Sequence, residues 1–272
     1  MYLPTNLLPV TRLVSEFCLN LQTEYGSISI FPLNMTVYRS DMVTYTKKEH
    51  YKSMAEIPFS PLPGYPDEEL AERSGQFYRF MERRRSIRQF SDRPISEEAI
   101  KNCIRTAGTA PSGANRQPWT FVLVKDPVVK GAIREEAERI ERGFYEKRAP
   151  EEWKDALKPL GTDYRKPFLE GAPYLIAVFV QKYGISEDGL RVTHYYAQKS
   201  VGIATGFLIT ALHQLGISTL TYTPSSMNFL NAILKRPENE LPSLLLVVGY
   251  ADENVKVPDI RRKSLEEIAI IV

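Results

Sequence analysis

Apolar and polar positions alternate along the chain in blocks that predict a sequence of helices and strands. Compact apolar runs bounded by Gly and Pro predict strands at Trp119–Val124, Tyr174–Val180, near Thr219–Tyr222 and at Ser243–Val248. Helical spacing of apolar residues, or acidic starts with basic ends, predicts helices at Asp67 to about Arg83, after an N-cap at Ser96, at Val128 to about Trp153, at Val192–Leu215 and near Met227–Leu234. Because helices outweigh strands and no regular βαβ period is visible, we expect an α+β fold with a sheet packed on a buried helix.

Two of these predicted helices have opposite compositions. Val192–Leu215 is apolar nearly all round, so we expect a central buried helix, and Gly202 and Gly206 at helical spacing would permit close helix contact. Val128 to about Trp153 is highly charged with few apolar positions. This second helix is therefore predicted to lie exposed on the body, as a mobile cover.

The first 55 residues differ from the rest of the chain. They mix short apolar runs with charges, so no charge-free segment approaches the ~18 apolar residues that a membrane helix needs, and no basic start indicates a signal peptide. We interpret residues 1–55 as a variable N-terminal extension without a convincing transmembrane helix, and residues 56–272 as one folded domain. We expect a cytoplasmic location, since membrane attachment through the N-terminus is not supported.

Composition narrows the classes of function. The chain has 272 residues, 43% of them hydrophobic and 25% charged, which is ordinary for a globular protein. A formal net charge of +2 creates no bulk field for nucleic acid or anionic membranes. Only Cys18 and Cys103 are present, and the three histidines are far apart, so neither a disulfide framework nor a metal site is predicted.

One stretch, Arg83 to Trp119, concentrates the candidate chemistry. It opens with Arg83-Arg84-Arg85-Ser86-Ile87-Arg88 and closes with a small-residue turn around Pro111-Ser112-Gly113. Arginine forks donate paired hydrogen bonds to phosphate, and glycine lets a backbone approach a flat ligand closely. A solvated helix end and a plain loop are the alternatives, although a second basic cluster at Arg261 and Arg262 favours a phosphate site.

Three strings in the sequence carry a resemblance to a known family. They are the arginine cluster, Arg105-Thr106-Ala107-Gly108-Thr109-Ala110-Pro111-Ser112-Gly113-Ala114, and Pro118-Trp119-Thr120-Phe121. The chain resembles the flavin-dependent nitroreductase superfamily over about residues 70–272, and most closely the iodotyrosine deiodinases. The resemblance implies a nitroreductase-like fold, in which a central, mostly antiparallel sheet packs against helices in a domain-swapped homodimer that binds FMN at its subunit interface.

The resemblance also assigns cofactor-binding residues by matching motif. Those expected to hold the FMN phosphate and ribityl chain are Arg84, Arg85, Ser86, Ile87 and Arg88, with Arg262 from a C-terminal extension at about residues 251–272. Pro111, Ser112 and Gly113 would reach the flavin of the partner subunit. At the end of the third strand the matching segment is Thr221, Tyr222 and Thr223, with the Thr223 hydroxyl donating to flavin N5.

Substrate choice is expected to depend on residues outside that stretch. Glu141 and Tyr145 lie one helical turn apart, and Lys166 follows Gly161 and precedes Pro167, in a predicted loop. Matching residues in the deiodinases form a lid, here at about 137–168, in which the Glu accepts from the substrate ammonium and the Lys pairs with its carboxylate. Without the resemblance, all three would be ordinary surface residues.

The implied reaction is reductive dehalogenation of mono- and diiodotyrosine to tyrosine and iodide. The substrate phenolate would meet the backbone N–H of Ala114. Two alternatives stay open: a general FMN-dependent nitro or quinone reductase, and a protein that binds FMN or halotyrosine without turnover. No nicotinamide motif identifies the reductant, for which an NADPH-linked reductase is one candidate.

Overall fold

The computed structural model describes residues 56–157 and 161–272, and the extension predicted at residues 1–55 lies outside them. The chain divides into two units at Pro63, and Gly64–Val272 contains every helix and strand that the structure describes. Fifteen elements follow one another in this second unit. They are α1 (Asp67–Glu82), α2 (Glu97–Gly108), a 3-10 turn (Gly113–Asn115), β1 (Trp119–Val124), α3 (Pro127–Lys147), α4 (Glu151–Leu157), α5 (Phe168–Gly171), β2 (Tyr174–Gln181), β3 (Tyr183–Ile185), β4 (Arg191–Thr193), α6 (Ala197–Gln214), β5 (Ser218–Tyr222), α7 (Phe229–Ile233), β6 (Glu240–Gly249) and α8 (Leu265–Ile268).

Four of the strands form one antiparallel sheet in the order β1-β2-β6-β5. The two central strands pair along most of their length, from Tyr174 opposite Val248 to Gln181 opposite Glu240, with one irregularity at Val178 and Phe179. Pairing of β3 with β4 makes a separate small hairpin. The predicted antiparallel sheet is confirmed, and its four predicted strands are all present.

Side chains that alternate along the central strands build a core on each face of the sheet. In β2, Leu175, Ala177 and Phe179 pack with α3, α5 and α7, whereas the intervening residues pack with α2 and α6. Both faces of β2 are therefore buried, as the continuous apolar run predicts. The result is a three-layered α+β domain in which the sheet separates two groups of helices.

The charged helix differs from its prediction in length and in burial. It stops at Lys147, and a second helix begins at Glu151 after Pro150. The expectation that it lies exposed is wrong, because Lys130, Ile133, Ala137 and Glu141 are buried along one face. Their spacing of three or four residues makes a narrow stripe, sufficient for packing on the sheet even though the helix is charged elsewhere.

The apolar helix was predicted too long and too buried. Arg191–Thr193 belongs to a strand, and α6 begins only after Tyr196, whose φ of 52° lies in the left-handed region. One face of α6 is open to solvent in the single chain, where Ile203 is 44% and Phe207 is 40% exposed. Within the described parts of the chain, no helix is both long and apolar enough to cross a membrane.

Candidate active site

The arginine segment, residues 83–88, lies along the outer edge of β5. Leaving α1, the chain forms a parallel bridge between Ser86 and Thr219, in which the Ile87 amide donates to the Thr219 carbonyl at 3.1 Å. The Ile87 side chain is buried and anchors the segment, while Arg84, Arg85, Ser86 and Arg88 are half-buried beside it. The sheet therefore brings together two of the three segments that were predicted to bind the cofactor.

Positive charge is concentrated at the beginning of this segment. The Arg262 guanidinium donates to the carbonyls of Glu82 at 2.8 Å and Arg84 at 2.7 Å, and Arg85 donates to the Pro258 carbonyl, so the C-terminal tail is tied to the segment. Burial lowers the pKa of Arg84, and the charges of Arg262 and Arg85 lower it further. Burial and the two neighbouring cations all destabilise the charged form of Arg84. A bound anion would stabilise that charged form.

A cleft of about 510 Å³ opens beside these arginines. Arg83, Arg84 and Arg85 line one side, and His213 from α6 and Ser218 from β5 lie on another. Paired N–H donors on several guanidinium groups are suited to a phosphate. These residues therefore fit the phosphate end of FMN. Arg83 and His213 were not predicted in this site, and His213 could not have been, since it is 133 residues from its partner Phe80.

The third predicted cofactor segment is a tight and strained turn next to α6. Ala114, Asn115 and Gln117 all have positive φ, at 49°, 51° and 47°, and the Ser112 hydroxyl accepts from the Gln117 amide at 2.9 Å. A Cβ on Gly113 would lie 2.7 Å from the Tyr195 carbonyl oxygen, so only glycine fits there. The turn is held against Tyr195, whereas the arginine segment lies beside β5.

The end of β5 presents two threonines on one side and a tyrosine on the other. Thr221 and Thr223 are exposed, and Tyr222 between them is buried against the α3 side of the sheet. The Thr221 and Thr223 side chains are thus available to a ligand. The prediction that Tyr222 binds the cofactor stays a prediction, but its side chain faces the opposite way.

Glu141 and Tyr145, both on α3, lie close to Lys166 from the loop that precedes α5. Lys166 Nζ lies 3.6 Å from Glu141 Oε2, and 5.7 Å from the centre of the Tyr145 ring. Glu141 is 6% exposed and Lys166 is 3% exposed, so neither is the surface residue that composition alone suggested. Burial lowers the pKa of Lys166, although the charges of Glu141 and Asp163 act in the opposite direction.

Hydrogen bonds around this pair come from residues that the sequence did not single out. Lys166 Nζ donates to the Asp163 carbonyl, and Glu141 Oε1 accepts from the Ser225 amide at a long 3.3 Å. The Lys166 amide donates to Glu138 at 2.7 Å. Each of these partners is brought in by tertiary contact, for which sequence spacing offers no signal.

Arg88 links the two halves of the site. The residue lines a cleft of about 490 Å³ together with Thr162, Asp163 and Phe168. The carbonyl of Asp163 accepts from Lys166 Nζ, so this cleft adjoins the buried Glu141–Lys166 pair. Among the described residues, no group of three or more His, Cys, Asp or Glu is placed to hold a metal ion.

Comparison with known proteins agrees with this architecture. The model of the nitroreductase family matches residues 81–250, more than half of the chain. The chain belongs to the nitroreductase family. This match covers the arginine segment and all four strands of the sheet, so the nitroreductase-like α+β fold expected from the resemblance is confirmed.

Similar members of the nitroreductase family are iodotyrosine deiodinases. The protein of that name from Haliscomenobacter hydrossis is 51% identical over 215 residues, which are 78% of this chain and 97% of the relative. Iodotyrosine deiodinase 1 of Homo sapiens is 43% identical over 226 residues, 83% of this chain and 78% of the relative. A crystal structure of oxidized iodotyrosine deiodinase bound to FMN and 3-iodo-L-tyrosine matches with a TM-score of 0.62 and 32% identity, over 72% of this chain and 96% of that one.

Proposed function

We propose that this chain is an FMN-dependent oxidoreductase that converts mono- and diiodotyrosine to tyrosine and iodide. One observation carries the proposal: Arg88 of the arginine segment lines the same cleft as Asp163, whose carbonyl accepts from Lys166 of the buried Glu141–Lys166 pair. A general nitroreductase needs the first feature but not the second. The similar deiodinases supply the substrate class, since one of them is crystallised with 3-iodo-L-tyrosine.

Glu141 and Lys166 bind the amino-acid group of the substrate in this proposal. The substrate ammonium replaces Lys166 as the partner of Glu141, and its carboxylate pairs with Lys166. At 3.6 Å the existing pair is longer than a good charge-assisted hydrogen bond. The ammonium and carboxylate of the substrate offset the cost of separating the two groups, because each residue regains a partner of opposite charge. Tyr145 covers the bound group, and the segment at about 137–168 acts as a lid that excludes water.

The reaction replaces a carbon–iodine bond with a carbon–hydrogen bond, which consumes two electrons and one proton and releases iodide. Bound FMN, once reduced, supplies the electrons. Arg84, Arg85, Ser86, Ile87, Arg88 and Arg262 hold its phosphate end, and Thr223 offers it a hydroxyl donor. The backbone at Ala114, in the strained turn, binds the phenolate oxygen of the substrate.

We further propose that two chains assemble into a homodimer with exchanged tails. The exposed face of α6 combines Ile203 and Phe207 with Gly202 and Gly206, and a Cβ added to either glycine would meet nothing within 4 Å in the single chain. An open apolar face of this kind is typical of an interface. Ile268 and Ile270 in the tail are also exposed and would cover the partner. In such a dimer the Ser112 turn of one chain completes the site of the other.

Anaerobic iodide release tests the catalytic proposal. The purified protein is loaded with FMN, reduced with dithionite under argon, and mixed with diiodotyrosine while flavin absorbance and free iodide are followed. We expect flavin reoxidation with matching iodide. Nitroaromatic turnover that exceeds deiodination would indicate a general reductase, and tight diiodotyrosine binding with no iodide over many minutes would indicate a binding protein.

Light scattering tests the dimer. Phe207→Glu should shift the mass from two chains to one and weaken FMN binding, because the partner's turn is lost. The matched control, Phe77→Glu on the exposed surface of α1, should leave both unchanged. A monomeric wild-type protein that binds FMN tightly would contradict the proposal.

A further inference from the structure

Tyr222 carries a buried hydroxyl that nothing in the proposed function uses. The residue ends β5, is 8% exposed, and packs its ring edge-to-face on Phe168 with centres 5.8 Å apart. Its hydroxyl has no hydrogen-bond partner, the only buried side-chain oxygen or nitrogen in the described residues of which this is true. Since buried polar groups in native proteins are nearly always paired, this one requires an explanation.

The surroundings of Tyr222 are the amino-acid-binding residues themselves. Lys166 Nζ lies 5.9 Å from the centre of the Tyr222 ring and 5.7 Å from that of Tyr145, so the cation is in range of both rings. Burial raises the pKa of Tyr222, and the carboxylates of Glu141 and Glu138 raise it further, in that order. The hydroxyl therefore stays protonated. Glu141 reaches the same place through Lys166, whose Nζ is 3.6 Å from Glu141 Oε2 and 5.9 Å from the centre of the Tyr222 ring.

Of these two carboxylates, Glu141 is the one with the weaker existing contacts. Glu138 accepts two short hydrogen bonds at Oε1, from Arg134 at 2.9 Å and from the Lys166 amide at 2.7 Å. Among the described residues, the contacts of the Glu141 carboxylate are long, 3.3 Å to the Ser225 amide and 3.6 Å to Lys166. A buried carboxylate can accept several hydrogen bonds, so Glu141 has room for another donor.

We propose that Tyr222 is a positioning residue for the substrate's amino-acid group, which donates a hydrogen bond to Glu141 once the substrate has separated Glu141 from Lys166. When Lys166 turns to the substrate carboxylate, Glu141 loses its cation and faces only the incoming ammonium. The Tyr222 hydroxyl then fixes one carboxylate oxygen and leaves the other directed at the ammonium. This inference rests on the proposed function, because it assigns Tyr222 to the same zwitterion-binding group.

Tyr222→Phe removes the hydroxyl and keeps the ring against Phe168. In the FMN-loaded enzyme we expect Kd and KM for diiodotyrosine to rise about tenfold, as for loss of one hydrogen bond to a charged group. The turnover number should stay within about twofold and FMN affinity should not change. Turnover of 2-iodophenol, which has no amino-acid group, should also be unaffected. The unfolding midpoint should hold or rise slightly, because an unpaired buried group is removed.

Tyr174→Phe is the matched control. Its hydroxyl donates to the Ile95 carbonyl at 3.1 Å, outside the site. This variant should lose stability and keep the wild-type KM, which is the reverse of the pattern expected for Tyr222→Phe. A purely structural role for Tyr222 would make the two variants behave alike, and that outcome overturns the inference.

A double-mutant cycle tests whether Tyr222 acts through Glu141. In a Glu141→Gln background, adding Tyr222→Phe should change substrate affinity by less than about twofold, since coupled residues are not additive. A full tenfold effect in that background would show that Tyr222 acts by another route and would also overturn the inference. Iodide release by the wild-type enzyme is measured first. Its failure would contradict the proposed function, whereas the comparison of variants tests the role of Tyr222.

Discussion

Two buried carboxylates of the domain, Glu240 and Glu141, have different sets of hydrogen-bond partners. Glu240, at the start of β6, is 4% exposed and accepts from Arg236 at 2.7 and 3.0 Å and from the Thr120 hydroxyl at 2.6 Å. Glu141 is 6% exposed, and among the described residues its carboxylate has the 3.3 Å and 3.6 Å contacts with Ser225 and Lys166. The two carboxylates are therefore buried to a similar extent, but Glu240 accepts three short hydrogen bonds and Glu141 has long contacts.

The difference separates a structural ion pair from a binding site. Removing a carboxylate from water is costly, and a buried pair offsets that cost only with good geometry and additional hydrogen bonds. Glu240 meets this condition within its own chain. Glu141 does not, and the Tyr222 hydroxyl, on the other ring that Lys166 approaches, is buried and unpaired. The ammonium group of a substrate would supply Glu141 with the short hydrogen bonds and the positive charge that Glu240 receives from Arg236.

The largest effect should come from neutralising the binding pair. Glu141→Gln or Lys166→Gln should weaken diiodotyrosine binding by roughly 30- to 1,000-fold, the range for losing one partner of a buried charge pair. Titration of the oxidised flavoprotein, monitored by flavin fluorescence, measures this affinity. FMN binding and the turnover of 2-iodophenol should be close to wild type. Equal losses of FMN and of diiodotyrosine would argue against the assignment.

Neutralising the structural carboxylate should have the opposite outcome. Glu240→Gln should lower the free energy of unfolding by about 3 kcal/mol, because Arg236 loses its anionic partner and one of its two acceptor oxygens, while the KM for diiodotyrosine stays the same. Urea denaturation of both Gln variants gives the comparison, and Glu141→Gln should be the less destabilising of the two, because the contacts that it weakens are long. If Glu141→Gln proved the more destabilising variant, the contrast between the two carboxylates would be lost.

The sequence predicted the sheet more fully than the site. The strand at Trp119–Val124 was placed correctly because its apolar run is bounded by Pro118 and Lys125. Lys166 was rightly expected in a loop, since Gly161 and Pro167 interrupt helices. Its burial was not predictable, because that depends on contact with α3, which is distant in sequence. The three-residue strands β3 and β4 are too short to show a period.

A smaller loss should follow at the arginine segment, where the Arg84 guanidinium has no carboxylate partner among the residues that the structure describes. Arg84→Gln should weaken FMN binding about 10- to 100-fold, as for loss of a charge-assisted hydrogen bond. Equilibrium dialysis of the cofactor-free protein measures this. Arg105→Gln is the control, because Arg105 is exposed and already pairs with Glu98 at 2.6 Å. Equal effects of the two substitutions would exclude a specific phosphate contact for Arg84.

The smallest predicted effect is on pH dependence. Only protonated Lys166 can pair with a carboxylate, and burial lowers its pKa, so affinity should fall with rising pH before an ordinary lysine near ~10.4 would titrate. A substrate analogue without the amino group, 3-(4-hydroxy-3-iodophenyl)propionate, isolates this effect, with 2-iodophenol correcting for phenol ionisation. In Lys166→Arg the fall should disappear, because arginine keeps its charge. A fall that persists in that variant must come from another group.

The single parallel bridge at Ser86 and Thr219 gives the cofactor a part in folding as well as in catalysis. The arginine segment is attached to an edge strand by little backbone pairing, and its neighbouring guanidinium groups repel one another. A ligand that binds the arginine segment only while it is attached to β5 stabilises the native state in proportion to the logarithm of the ligand concentration. FMN would then raise the free energy of unfolding of this edge of the sheet before any substrate is bound.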